Sequence, residues 1–293
     1  MNSLLKVDMY RFLRSKQFLI ALIASVAVAV LMPVICVLFE VGIKYMIGAP
    51  VEDTGSAFLA KDFAFINFGF YYPIVLSGEL FTYMYNFCFI LVVILFSIAV
   101  ARDFTYGTIR NKIITGKSRI EIYLSLFITL YVFMVGVALA SSLTGFGVAC
   151  MIFKFGIEES ALTVVGNLCL SLLFMLLSYF FICSFMCFFA VGLTKTPLAI
   201  IFTLLLAFLG YLIGVLAPGI TSILEGLQSE YDVKIWIDLI TLLRVMNVFG
   251  ETASMNFLGF KVYEIVGYLL YPITFGSAFL GFGILIFNKR NLK

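Results

Sequence analysis

Three observations predict an all-α integral membrane protein with six transmembrane helices. The 293-residue chain is 63% hydrophobic and 12% charged, against about 25% charged in soluble domains, and its mean hydropathy is +1.14. One globular core cannot hide that much apolar surface. The apolar residues also run unbroken for the length of a bilayer instead of alternating, which favours helices over a barrel. Finally, the segments between the runs differ in charge, and one of them is strongly basic.

The elements follow in order. Residues 1–17 read as an amphipathic helix at the membrane surface. Leu5, Met9, Phe12 and Leu13 form its apolar face, with Lys6, Arg11, Arg14 and Lys16 at polar positions. A cleaved signal peptide is the rival reading, but the next run, 18–39, is long enough to span outright. Residues 40–79 mix Gly, Pro and acids, and the aromatic patch Phe63–Tyr72 within them suits the interface. The second span is 80–101 and the third 122–153. The fourth, 162–193, is longer than a bilayer needs and is expected to tilt or project. Thr194–Pro197 is a tight connection whose proline can open the fifth span, 198–216. Residues 218–264 carry six acids and an amphipathic piece, Val233–Phe249, and the sixth span is 265–287.

Charge sets the orientation. With both termini cytoplasmic, 13 of the 19 Lys and Arg residues lie inside, and Lys44, Lys61, Lys154, Lys234, Arg244 and Lys261 lie outside. Asp8, Asp103 and Glu121 are then the inside acids. This split obeys the positive-inside rule, and the inverted topology would reverse it.

Residues 102–121 form the basic cytoplasmic loop, with Arg102, Arg110, Lys112, Lys117 and Arg119. Within it Tyr106–Thr115 is expected to make a short helix, capped by Asp103 or Thr105 and stopped at Gly116. At about 15 Å it cannot cross a bilayer. Ile109 and Ile113 stand one turn apart and can fill an apolar slot on a partner, while Arg110 and Lys112 can meet its acids. The alternative is that these cations only set topology and touch lipid headgroups.

Several chemistries are poorly supplied. The absence of His removes the usual general base, the Ser-His and Cys-His nucleophile pairs and the commonest metal ligand. Cys183 and Cys187, one turn apart, read as packing residues before a soft-metal pair, so no metal site is expected. Gly116-Lys117-Ser118 imitates the end of a phosphate loop, but Asn111 stands where that motif needs its first glycine. The spans hold no Asp, Glu, Lys or Arg between their ends, which argues against ion-coupled transport. Energy for any transport then comes from a partner. Gly210 and Gly214, and Ser277 and Gly281, have the spacing of close helix–helix contacts and are candidate interfaces.

The basic N-terminus ending Arg14-Ser-Lys-Gln-Phe18, the loop Asp103-Phe-Thr-Tyr-Gly-Thr-Ile-Arg-Asn-Lys112 followed by Gly116-Lys-Ser-Arg119, and the long segment before the last span together resemble the permease subunits of ABC-2 type transporters. The likeness is to the small six-span permeases of Gram-positive bacteria, including bacitracin-resistance and lantibiotic-immunity types. It implies that Gly107, Thr108, Ile109, Arg110, Asn111 and Lys112, with Ile113, form a coupling helix docked in a cytoplasmic ABC ATPase subunit. It further implies an elbow helix at the N-terminus and short re-entrant helices within 218–264. The working unit would be two permeases, identical or related, with two ATPases in the bacterial cytoplasmic membrane. The ATPase would bind ATP and Mg, and this chain would need neither cofactor nor nucleic acid. A hydrophobic or amphipathic cargo, such as an antimicrobial peptide or drug, suits the uncharged aromatic-rich spans. Ion efflux or polysaccharide export on the same architecture, and a non-transporting anchor or sensor, are the alternatives.

Overall fold

The computed structural model describes residues 2–47, 94–100, 102–103, 106–152, 161–192, 201–202, 205, 220, 223–224, 236 and 262–289. Among these the chain is all helical, without strands. Six helices can be followed: α1 (Asn2–Leu13), α2 (Lys16–Ile47), α3 (Thr108–Ile114), α4 (Arg119–Ile152), α5 (Ala161–Gly192) and α6 (Val262–Lys289). A further helical turn or two runs over 94–100. Among the described residues three stretches are long and apolar enough to cross a membrane, Lys16–Ile35, Arg119–Ile152 and Leu270–Lys289, and α5 contributes a shorter apolar stretch, Leu176–Gly192. The expected second span is described only near its end, and the fifth only at single positions. Gly210, Gly214 and nearly all of 40–79 and 218–264 lie outside the described residues.

The first long helix continues to Ile47, past the loop start expected at Glu40. No proline or Asn intervenes before Gly48-Ala-Pro50, so nothing local stops it. At about 1.5 Å per residue its 32 residues overrun a hydrocarbon core of about 30 Å. α4 begins where Ser118 caps it. The Ser118 hydroxyl accepts the Glu121 N–H at 3.2 Å, with the Ser-x-x-Glu spacing of a capping box.

α4 is the hub, packing against α1, α2, α3, α5 and α6. Its buried residues run most of its length, from Ile122 through Leu130 and Met134 to Ala149. Aromatic stacking joins it to the N-terminal helix. Phe12 lies 5.4 Å from Phe96 and 4.9 Å from Phe133, ring centre to ring centre, nearly parallel to both. On the other side α6 comes close to its neighbours because it has glycines where they meet. A Cβ on Gly276 would stand 2.6 Å from the Phe180 ring, and one on Gly283 would stand 2.0 Å from the Tyr123 hydroxyl.

α1 differs from its expected pattern. Leu4, Asp8 and Phe12, four residues apart, make its inward stripe, whereas Leu13 is exposed with Val7 and Tyr10. A carboxylate thus sits in the middle of the buried face. The reason is a partner that local periodicity does not show.

Candidate functional site

The partner is Lys112. The loop helix α3 spans seven residues, so it is too short to hold itself together. Its start is turned by Gly107 at φ 70°, with no side-chain cap. Of the two expected caps, Asp103 is engaged elsewhere, and Thr105 lies outside the described residues. Its end matches expectation. Gly116 takes φ 82°, its N–H reaches the Ile113 carbonyl at 3.0 Å, and the Lys117 N–H reaches that of Lys112 at 3.4 Å. That pair of bonds is the Schellman arrangement, which needs a left-handed residue at this position.

Tertiary contacts therefore place α3, and two of its side chains are buried, Ile109 and Lys112. Ile109 is 3% exposed and belongs to the chain's own core. The Lys112 ammonium donates to both oxygens of Asp8, at 2.6 and 2.8 Å. The Ser125 hydroxyl of α4 donates to the same carboxylate at 2.7 Å. Arg11, one turn along α1, stands 3.7 Å from Asp8 and also donates to Asp103. Two cations and two carboxylates from α1, α3 and the start of the basic loop thus meet beside α4. Asp8, itself 3% exposed, is hydrogen-bonded from two elements, which is what a buried charge requires. A cavity of about 10 Å³ lies among Asp8, Arg11, Asp103 and Thr129, about the room one water occupies.

Burial lifts the Asp103 carboxyl above its usual range, outweighing Arg11 and Lys112, which pull it down, and Asp8 adds to the rise. A folded-state value above the unfolded one means stability that is full below about 3.8 and lost as pH rises through the folded value. Asp103→Asn is therefore expected to melt no lower than the parent chain at neutral pH. Arg11 can still donate to the amide oxygen, and any gain should vanish in acid. Melting curves at neutral and acid pH in detergent check this.

The remaining expected site residues divide clearly. Thr108 is half-buried and Ile113 packs against the core from its rim. Arg110 and Asn111 are exposed, and so are Tyr106 and Ile114, at 75% each. The outward face of the loop is thus Tyr106, Arg110, Asn111 and Ile114, not the Ile109–Ile113 pair. Ser277 is exposed and a Cβ on Gly281 would meet nothing within 4 Å, so this pair faces away from the described bundle. Cys183 and Cys187 are buried free thiols, and no metal-holding group of His, Cys, Asp and Glu occurs among the described residues.

Other ties gather at the same end. Arg119 donates to the Asn288 carbonyl at 2.8 Å, bringing the end of α6 to the start of α4. The N-terminal helix, the loop and the end of α6 therefore lie together. Sequence reasoning missed Asp8 and Ser125 as site residues. Comparison of the chain with protein-family models, curated proteins and solved structures finds no match.

Proposed function

We propose that this chain is the permease subunit of an ATP-driven exporter of the ABC-2 type, with its loop helix docking on a cytoplasmic ATPase. The observation that carries the reading is the division of α3. One side, Ile109 and Lys112, is anchored in the chain's own core, and the other presents Ile114, Arg110 and Asn111 outward, beside the exposed Tyr106 that precedes the helix. A short helix anchored beside membrane-length helices, with an apolar and basic face, suits a cleft with an apolar floor and acidic rim. The six-span layout, both termini in the cytoplasm, a dimer of permeases and an apolar cargo complete the proposal. The excess of Lys and Arg in the inside segments and the likeness of the loop and N-terminus to such permeases support it.

The test is co-purification of a co-expressed ATPase with the full chain at low and high salt, alongside cargo-stimulated ATP turnover. Ile114→Asp is expected to lose the ATPase while the chain stays folded. Its side chain contributes roughly 1.5–3 kcal/mol on burial, more than the 1.4 kcal/mol of a tenfold change. Arg110→Ala should cost less and only at low salt, because rim charges are screened. Aspartate at Ile109 would instead disrupt the permease's own core. Normal ATPase capture and export by Ile114→Asp would overturn the docking face.

A further inference from the structure

We propose that Asp8 is the positioning residue of the loop helix, so that the N-terminal helix is part of the coupling element and not only a membrane-surface anchor. The proposal deepens the coupling role above and rests on it only for the partner.

The case begins with what α3 lacks. Its seven residues cannot sustain a helix alone, and both ends turn through glycines at positive φ whose surroundings are open to 4 Å. Such ends allow the helix to swing. Ile109 holds it by apolar burial, which resists departure but scarcely fixes direction. The Lys112–Asp8 contact does fix direction. One ammonium meets two carboxylate oxygens at 2.6 and 2.8 Å, and the Ser125 hydroxyl at 2.7 Å orients that carboxylate from α4. Buried charge pairs are best attested as devices that set registry. Here the pair selects the rotation of α3 that turns Arg110, Asn111 and Ile114 outward. Arg11, bonded to Asp103, ties the chain entering the loop to the next turn of α1. Helix α1, the loop entry and the loop helix are therefore joined through two adjacent turns of α1.

The test uses the full chain in lipid nanodiscs without any ATPase, so it is independent of the proposed partner. Hydrogen–deuterium exchange is followed over 106–116, with the α5–α6 contact around Gly276 as internal reference. Asp8→Asn keeps an acceptor for Ser125 but leaves the Lys112 ammonium without its counter-charge. Exchange across the loop should accelerate about tenfold or more, with the reference unchanged. Asp8→Glu should retain most of the protection. Adding Lys112→Met to Asp8→Asn should bring no further acceleration, because both changes strike one contact. Lys112→Met alone should also loosen the loop, which keeps the test available if Asp8→Asn fails to insert. An unchanged loop in both single variants, additive effects in the double, or equal acceleration in loop and reference would overturn the assignment. A loop that loosens as expected in a chain that captures no ATPase would leave Asp8's role standing and sink only the docking reading.

Discussion

Gly283→Val is expected to push α6 away from α4 and destabilise the bundle by about 1–3 kcal/mol or more, the range for overpacked cores. A Cβ there would stand 2.0 Å from the Tyr123 hydroxyl and 2.7 Å from the ring carbon bearing it. Tyr123 is among the largest fully buried side chains, so the ring has nowhere to retreat. Tyr123→Phe alone should be neutral or stabilising, since its hydroxyl is buried without a hydrogen-bond partner among the described residues. In combination it should rescue Gly283→Ala in part, because the ring carbon remains close. Gly276 offers a contrast. Its added Cβ would meet the Phe180 ring at 2.6 and 2.7 Å and the Phe181 Cα at 3.2 Å, and a backbone atom cannot be trimmed by mutation. Thermal unfolding followed by fluorescence-detected size exclusion would rank these variants. Gly283→Val melting like the parent chain would show that α6 does not sit this close.

Phe12→Ala is expected to have an effect of similar or greater size. Fully buried Phe-to-Ala changes cost about 3–5 kcal/mol, and half-buried Phe12 should fall near the lower end. Its ring lies between Phe96 and Phe133, and Phe133 also meets Phe18 edge-on at 4.8 Å. Truncation would open a gap in a four-ring cluster that links α1, α2, α4 and the helical segment over 94–100. Tyr10→Ala is the control, because Tyr10 is exposed and touches Arg14 by a cation–π contact at 4.5 Å. It should leave the stability within about 0.5 kcal/mol of the parent chain, as for ordinary surface positions. Equal losses from the two substitutions would mean that the ring cluster does not hold α1 in place.

Some of this could be read from residue order and some could not, for physical reasons. The helical class and the stop at Gly116 follow from local signals: unbroken apolar length, and a glycine where the backbone must turn left-handed. The spacing of Ile109 relative to Ile113 also puts them on neighbouring positions of one helix. Which body that side packs against is a tertiary matter, and here Ile109 faces inward. Asp8 was illegible for a related reason. A lone acid in an amphipathic helix looks solvated, and its counter-ion stands 104 residues away. Gly276 and Gly283 were equally hidden, being two among 23 glycines and distinguished only by what lies opposite them.

The Asp8–Lys112 clasp also bears on biogenesis. At synthesis rates of about 5–20 residues per second, a separation of 104 residues means that Asp8 emerges about 5–20 s before its counter-ion. During that interval the carboxylate must stay hydrated, because apolar surroundings would penalise it heavily. On the proposed topology the N-terminal helix then stays at the membrane surface until the first and second apolar runs have followed it. Once Lys112 and then α4 have followed, the charge is paired and α1 can settle against α4. Closure of the clasp would thus mark the moment when the first half of the chain has been laid down in order.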